Sequence, residues 1–206
     1  MENTKIINLQ RFLIVFLIFF SLNAKEILFT DTESYNWKHL SKWKLDKQSN
    51  IISMVKNKGY YFNLYFTKDI KFKNGTLSVD FKANHGYMDQ GGGIMWRVLD
   101  KSNYYIARFN PLEDNFTYYK VINGNRITLK NTNIKLSNGW HTMKIVQENN
   151  HFIGFIDDKK LLEYYDNSID KDGGIGVWTK SDAQTSFKNF ILYLPYKHKL
   201  KLQQQQ

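Results

Sequence analysis

The sequence contains no cysteine, only two prolines, and only four arginines among its 29 lysine and arginine residues. Without cysteine there is no disulfide framework, so the hydrophobic core alone must stabilise the fold. An aromatic fraction of 16% makes such a core feasible, because each buried aromatic side chain removes a large apolar area from water. Pro111 and Pro195 both fall outside the interiors of the predicted strands, as a β-sheet requires.

Long apolar runs are also scarce, and the one candidate lies at the N-terminus. Lys5 and Arg11 precede an unbroken apolar run at 12–20, and the segment ends at the small residue Ala24. A membrane-spanning helix needs about 20 apolar residues, so this run is too short. The pattern predicts a secretory signal peptide at 1–24 and a secreted or periplasmic protein. An uncleaved N-terminal anchor is the alternative, and it would be the only contact with a membrane.

The remainder is predicted to form one domain at 25–196, followed by a disordered tail at 197–206 that is basic and then poly-glutamine. The formal net charge is +10. A basic protein invites a nucleic-acid partner, but the lysines are scattered along the chain and form no stripe. We therefore expect no nucleic-acid binding.

Helical periodicity is hard to find, whereas short alternating runs are separated by turn residues about every ten positions. Turn-forming residues such as Asn123-Gly124 and Asp157-Asp158 stand between these runs. The pattern is typical of an all-β sandwich or barrel. The predicted strands are 51–55, 60–66, 75–83, 93–98, 104–109, 116–122, 126–129, 141–148, 151–157, 160–165, 174–180 and 185–194.

Strand alternation sorts side chains onto two faces. Arg97 and Arg108 each fall opposite an apolar set, so both are predicted to lie on a non-core face. The same pattern assigns further polar and aromatic residues to that face, namely Asn110, Tyr118, Lys120, Trp178 and Lys180. Aromatic rings and forked guanidinium donors suit sugar rings, which offer apolar C–H faces and pairs of hydroxyl groups. The structural alternative is that the two arginines merely pair with carboxylates such as Glu113.

Several chemical motifs are missing. GxSxG, P-loop and GxGxxG sequences are absent, and the five histidines show no HxH or HxxxH spacing that would favour zinc. Gly91-Gly92-Gly93 precedes a predicted strand and not a helix, so it indicates a bulge or a close backbone approach, and not a phosphate site.

Four segments carry a resemblance to a known family: GGGIMWRVLDKSNYYIARFNPLEDNFTYYKVINGNRITL, GWHTMKIV, FIDDKKLLEY and GGIGVWTKSDAQTSFKNF. Together they resemble the concanavalin A-like domain of the 3-keto-disaccharide hydrolase group, which is related by fold to laminarinase-type glucanases and laminin G-like modules. The resemblance implies an all-β, two-sheet antiparallel jelly-roll sandwich with a glycan-sized groove on its concave sheet. The residues that would line this groove are Arg97, Tyr104, Arg108, Asn110, Glu113, Tyr118, Lys120, Trp178 and Lys180.

The resemblance is weaker for catalysis. Laminarinase-type enzymes carry a Glu-x-Asp-x-(x)-Glu strand, which places both carboxylates on one face, and this chain has none. The remaining candidates for an acid or base are Glu113, Asp89 and His85. No cofactor is predicted, although lectin-like jelly rolls often hold calcium; Asp89, Asp100, Asp172 and Asp182 form no ligand-spaced cluster.

Three functions stay open at this stage. The first is an exported carbohydrate-binding module whose partner is a glycan or a small saccharide. The second is an enzyme of the 3-keto-disaccharide hydrolase type, which would need a titratable pair across the groove. The third is a structural or adhesive protein without sugar activity.

Overall fold

The structure is a computed structural model, and it describes residues 24–194. The predicted signal peptide and C-terminal tail lie outside these residues, apart from Ala24. No helix among residues 24–194 is long and apolar enough to cross a membrane. The strands are β1 (Ala24–Ile27), β2 (Lys38–His39), β3 (Lys42–Asp46), β4 (Ile51–Lys56), β5 (Phe62–Phe72), β6 (Gly75–His85), β7 (Gly92–Asp100), β8 (Asn103–Asn110), β9 (Asn115–Ile122), β10 (Asn125–Asn133), β11 (His141–Glu148), β12 (His151–Ile156), β13 (Lys159–Tyr165), β14 (Gly173–Lys180) and β15 (Gln184–Tyr193).

The strands form two antiparallel sheets, as the sequence predicts. The seven-stranded sheet has the order β10-β9-β8-β7-β14-β5-β2. The eight-stranded sheet has the order β13-β12-β11-β6-β15-β4-β3, with β1 paired to β15. All twelve predicted strands are present, and all except β5 and β10 begin and end within two residues of the prediction. The sequence prediction missed β1, β2, β3 and the second half of β5.

The tight turns follow the chemistry of their residues. Asn123 and Gly124 both have positive φ, 51° and 82°, and Asp157 and Asp158 have φ of 49° and 59°. Two consecutive positive φ values match the right-handed twist of the flanking strands, which is why Asn, Asp and Gly occupy these hairpins. The turns therefore fix the registers of β9 with β10 and of β12 with β13.

The main core lies between the two sheets. It joins residues such as Trp96, Tyr105 and Ile175 of the seven-stranded sheet to Phe81 and Phe152 of the eight-stranded sheet, all at most 1% exposed. Trp96 also donates its indole N–H to the side-chain oxygen of Gln147 at 2.8 Å, which pairs its one polar group. A core of this size explains how a chain without disulfides can be stable.

A β-bulge interrupts β7 at Arg97. Trp96 pairs with Ile175 and Val98 pairs with Gly174, so Arg97 has no partner on β14, and its φ is +47°. A Cβ at Gly173 would meet the backbone of Arg97, so glycine at this position leaves room for the bulge. An extra residue in a strand reverses the alternation of faces beyond it. On β7, the side chains after Arg97 therefore point to the opposite face from the one that strict alternation predicts for them.

Candidate functional site on the outer face

The face of the seven-stranded sheet that is turned away from the main core, here called the outer face, is itself apolar and buried. A second hydrophobic cluster covers it, distinct from the main core. Its members, here called the outer cluster, are Leu64, Phe66, Met95, Val98, Tyr104, Ile106, Tyr119, Val121 and Trp178. Tyr104 and Trp178 lie in this cluster as the alternation predicts, whereas Tyr119 was not predicted.

Arg108 is the charged residue at the centre of this face. The strand registers pair it with Thr117 on β9 and with Gly93 on β7, and Gly93 pairs in turn with Trp178 on β14. Arg108, Gly93 and Trp178 therefore occupy one row of register positions across β8, β7 and β14. The arginine is 1% exposed, which demands that its charge be neutralised nearby.

Two carboxylates flank the Arg108 guanidinium. Asp89, also buried, accepts a short ion-pair contact from Nη2, and Glu113 Oε2 lies 3.6 Å from Nη1. The Nζ of Lys180 lies 3.3 Å from the other oxygen of Asp89. The cluster of Arg108, Asp89, Glu113 and Lys180, here called the charged mouth, thus balances two positive charges with two negative ones.

The loop that carries Asp89 is held by another carboxylate. Asp182 accepts hydrogen bonds from the backbone N–H groups of Tyr87, Met88 and Asp89 at 2.7 to 3.1 Å. Burial opposes the ionisation of Asp182, but these backbone donors outweigh it and lower its pKa. The hydrogen bonds to Asp182 therefore hold the loop in a fixed position, with Asp89 next to Arg108.

Glu113 stands at the solvent edge of the charged mouth, with its side chain 54% exposed. Burial acts to raise its pKa, but a hydrogen bond from Asn115 and the charges of Arg108 and Lys180 outweigh that and lower it. Glu113 is consequently ionised at neutral pH. It can accept a proton weakly or bind a donor, but it cannot serve as a general acid.

Arg126 covers the outer cluster, and sequence reasoning did not select it. Its guanidinium carbon lies 4.3 Å from the ring centroid of Tyr119, 5.9 Å from that of Trp178 and 6.0 Å from that of Phe62. A guanidinium over aromatic faces gains a cation–π attraction. Arg126 is partly exposed and pairs with Val121 across β9 and β10. One indication was available in the sequence: Arg126 is another of the few arginines, and it lies on β10 directly after the Asn123-Gly124 turn.

Unpartnered buried polar atoms concentrate on this face. Among residues 24–194, nine buried side-chain nitrogen or oxygen atoms lack a hydrogen-bond partner, and five of them belong to the outer face. They are Tyr104 OH, Arg108 Nε, Thr117 Oγ1, Arg126 Nη1 and Trp178 Nε1. Burial raises the pKa of Tyr104 well above its usual range, and the nearby indole of Trp178 offsets part of this without reaching hydrogen-bond geometry. Such a concentration of unused donors and acceptors is unusual for a purely structural surface.

Exposed aromatic and apolar side chains surround the charged mouth. Tyr61 is 63% exposed, Tyr87 83% and Met88 77%. Lys180 Nζ lies 5.0 Å from the Tyr61 ring centroid, and Ser181 N–H donates to the Tyr61 carbonyl, so the Tyr61 loop borders the mouth. Aromatic rings of this kind offer flat apolar faces next to a charged, polar centre.

The structure corrects the placement of Arg97. The sequence predicts it on the same face as Arg108, but the bulge turns it away. Its guanidinium donates to the backbone carbonyls of Lys73, Asn149 and Ile169, in loops at one end of the sandwich. Burial lowers the pKa of Arg97, while Tyr105 and Asp170 oppose the shift. Arg97 therefore ties loops together and does not line the outer face.

Tyr118 and Lys120 share a face as predicted, but it is the wrong one. Tyr118 packs in the main core, with its ring centroid 5.1 Å from that of Phe152. Lys120 binds Asp166 at 2.8 Å and Ser168 at 2.6 Å. Both assignments failed because the outer face is as apolar as the core, so alternation alone did not indicate which set is buried between the sheets.

Of the other predicted residues, some converge on Arg108 and others do not. Asn110 is buried near the mouth, but its side-chain oxygen accepts the Leu112 N–H at 3.1 Å and so shapes the β8–β9 turn. His85 is exposed at the end of β6 in the eight-stranded sheet and packs edge-on against Tyr87 at 4.7 Å. Lys180, Glu113 and Asp89 converge on Arg108. Within residues 24–194, His85 forms no hydrogen bond or ion pair with the charged mouth.

No group of three or more histidine and carboxylate side chains within residues 24–194 is placed to hold a metal ion. Three of the four loop carboxylates considered for calcium serve other partners. Asp89 pairs with Arg108, Asp182 binds backbone N–H groups, and Asp100 binds Ser102 N–H and the Asn103 amide.

The fold is shared with several solved carbohydrate-active proteins. Carbohydrate-binding module CBM66 from Bacillus subtilis superimposes with a TM-score of 0.66 at 19% identity, covering 76% of this chain and 94% of the other. A prokaryotic β-1,3-1,4-glucanase (lichenase) from a mouse hindgut metagenome gives 0.60 at 11%, covering 84% and 99%. The Bacillus licheniformis β-glucanase gives 0.59 at 10%, covering 84% and 99%. These likenesses show the fold, a jelly-roll sandwich of the carbohydrate-binding or glycosidase type.

At the level of sequence, no curated protein matches significantly. A family model does match: that of the 3-keto-alpha-glucoside-1,2-lyase-like domain covers residues 26–192, nearly the whole of the described sandwich. This agrees with the resemblance carried by the four motif segments. The chain belongs to the family of 3-keto-alpha-glucoside-1,2-lyase-like domains.

Proposed function

We propose that this chain is an exported module that binds a saccharide on the outer face, between the charged mouth and Trp178. The unpartnered polar atoms of that face carry the proposal. A buried donor or acceptor without a partner costs about 1–3 kcal/mol, which a ligand that pairs it recovers on binding. Five such atoms on one face favour a polar ligand with several hydroxyl groups over an apolar one.

The chemistry of the face matches a sugar ring. The ring C–H groups would pack on Trp178 and Tyr119, and hydroxyl groups would pair with Arg108 Nε and Thr117 Oγ1. In this arrangement the partly exposed Arg126 side chain swings off the aromatic rings, because the sugar takes its place. The lost cation–π contact, worth about 0.5–2 kcal/mol, is offset by the new contacts.

A matched pair of variants tests the proposal. Tyr104 and Tyr118 are both 0% exposed, both carry an unpartnered hydroxyl, and face opposite sides of the same sheet. Removing an unpartnered buried hydroxyl by Tyr104→Phe or Tyr118→Phe should leave thermal stability unchanged or slightly higher. We expect Tyr104→Phe to weaken saccharide binding about fivefold or more, and Tyr118→Phe to leave it unchanged.

The binding measurement begins with a glycan array to find a ligand, followed by calorimetric titration of the wild type and both variants. Arg108→Ala should abolish array binding. The proposal fails if no glycan class binds, or if binding is indifferent to Arg108→Ala and to Tyr104→Phe.

Glu113 supports a second candidate function, a lyase acting on 3-keto-glycosides. The C3 carbonyl of such a sugar makes the C2 hydrogen acidic, and an ionised carboxylate removes it as a proton. The C–H electrons form the C1=C2 double bond as the C1–O bond breaks, and the departing alkoxide takes a proton from water. Arg108, whose Nη1 lies 3.6 Å from Glu113 Oε2, would stabilise the negative charge that develops on the carbonyl oxygen. Because its lowered pKa keeps Glu113 ionised, the carboxylate is available as a weak base and not as the acid that a hydrolase needs.

A turnover assay on 3-keto and ordinary disaccharides separates the two functions. Lyase activity predicts turnover of the 3-keto compound alone and its loss in Glu113→Gln. Absence of turnover in a protein that still binds saccharide would leave the binding module as the function.

Export is part of the proposal and rests on the N-terminal sequence. Expression of the full chain, followed by cell fractionation and N-terminal sequencing of the mature protein, tests it. Mature protein that begins at Lys25 outside the cytoplasm is the expected result, and an intact Met1 N-terminus in the cytoplasmic fraction would contradict it.

A further inference from the structure

A separate cleft opens at the side of the sandwich where the edge strands β2 and β3 of the two sheets meet. Its volume is about 360 Å³. Buried Tyr65 and Ile52 form its floor, and half-buried Trp37 and Trp43 form its walls. It shares no lining residue with the outer cluster or the charged mouth.

The aromatic rings of this cleft form an ordered stack. The Trp37 and Tyr65 rings lie 5.0 Å apart with an interplanar angle of 21°, and the His39 and Tyr65 rings lie 6.3 Å apart at 14°. Trp43 is tilted against Tyr65 at 5.7 Å. This stack gives the cleft an aromatic, apolar wall against which a ring-shaped ligand can pack.

The two tryptophans differ in their hydrogen bonding. Trp43 donates its indole N–H to the Leu40 carbonyl at 2.8 Å, whereas the indole N–H of Trp37 is buried without an acceptor. An unpartnered buried donor is costly, and a ligand oxygen that accepted a hydrogen bond from the Trp37 N–H would remove that cost. The exposed polar side chains of Thr32 and Asn36 stand at the rim of the same cleft.

We propose that this cleft is a second saccharide-binding site that accepts a single sugar ring. A flat aromatic wall matches the C–H face of such a ring, and the unpartnered N–H requires an oxygen that a purely apolar ligand lacks. The polar rim suits the remaining hydroxyl groups. The site stands independently of the outer-face proposal, because the two share no residues.

The indole N–H signals of the five tryptophans test the proposal in solution. Two-dimensional ¹H–¹⁵N spectra are recorded on the ¹⁵N-labelled full-length chain while methyl glucosides, galactosides, mannosides and fructosides are titrated in turn. The signals are assigned with single Trp→Phe variants. Trp37 reports on the cleft, Trp178 on the outer face, and Trp96, which is bonded to Gln147 in the core, serves as internal reference. Glycerol controls for unspecific polyol effects, and p-cresol probes for an aromatic ligand.

We expect at least one glycoside to shift the Trp37 signal saturably, whatever happens at Trp178. Trp37→Phe should weaken that titration about fivefold or more, followed through the Trp43 signal, since it removes the donor. Trp140→Phe, remote from the cleft lining, should not. The proposal is overturned if every glycoside leaves Trp37 unshifted, or if p-cresol alone shifts it. A shift at Trp178 only would support the outer-face site and reject this one.

Discussion

Arg97 and Arg108 lie on neighbouring strands of one sheet and are both 1% exposed, yet the protein compensates for their burial in different ways. Arg97 donates to three backbone carbonyls, which use its Nε, Nη1 and Nη2. Arg108 binds the side chains of Asp89 and Glu113 and keeps its Nε unpartnered.

The difference separates a structural arginine from a candidate binding arginine. Backbone carbonyls are neutral and fixed, so the Arg97 contacts hold three loops in place and occupy four of its five N–H donors. Carboxylates are charged and titratable, so the Arg108 cluster responds to pH and to charge changes in its neighbours. Burial alone does not distinguish the two; the count of used donors does.

The largest expected effect is on stability, at Arg97. Arg97→Ala removes the arginine donors from the carbonyls of Lys73 and Ile169 and leaves that of Asn149 with Gln147 alone, and we expect a loss of about 3 kcal/mol or more in the free energy of unfolding. Urea denaturation followed by tryptophan fluorescence measures it. Arg97→Lys, which keeps the charge but not the fork, should recover only part of the loss. A loss below about 1 kcal/mol in Arg97→Ala would contradict the structural role.

The second largest loss of stability is expected at Arg108, because Asp89 keeps its contact with Lys180 when the arginine is removed. Arg108→Met should destabilise the fold by about 2 kcal/mol and abolish saccharide binding. The double variant Asp89→Asn/Arg108→Met should regain most of the stability, since no buried charge is left unpaired, but should not regain binding. If the double variant loses as much free energy of unfolding as the two single variants together, Asp89 and Arg108 are not coupled, and the comparison with Arg97 fails.

How much of this could be predicted from the sequence depends on the regularity of each strand. Period-two alternation correctly placed Tyr104, Arg108 and Trp178 on one face, because β8 and β14 are regular at those positions. It failed at Arg97, since one inserted residue reverses the alternation and only the glycine at 173 opposite hinted at it.

The outer cluster limited the sequence prediction in a second way. A sheet that is apolar on both faces gives no polar marker for its outer side, so Tyr118 was assigned outward and Tyr119 was overlooked. Asp89 was recognised as a candidate, but its pairing with Arg108 joins a loop to a distant strand, and such long-range contacts leave no local pattern. The edge strands β1 to β3 were missed because they are short, and β2 and β3 border the aromatic cleft that sequence reasoning did not foresee.

The smallest expected effect concerns pH, and it distinguishes the two arginines without removing either. The pKa of Glu113 is lowered in the folded state, so its contribution to stability is complete above the ordinary value of 4.5 and is lost as the pH falls through the lowered value. The difference in unfolding free energy between wild type and Glu113→Gln should therefore shrink from about pH 5 to about pH 3. It should stay below about 1 kcal/mol throughout, because solvent screens a half-exposed carboxylate.

The difference between wild type and Arg97→Lys should stay flat over the same range, since backbone carbonyls do not titrate. A sloping Arg97→Lys difference, or a flat Glu113→Gln difference, would mean that the two sites are not neutralised in the different ways described.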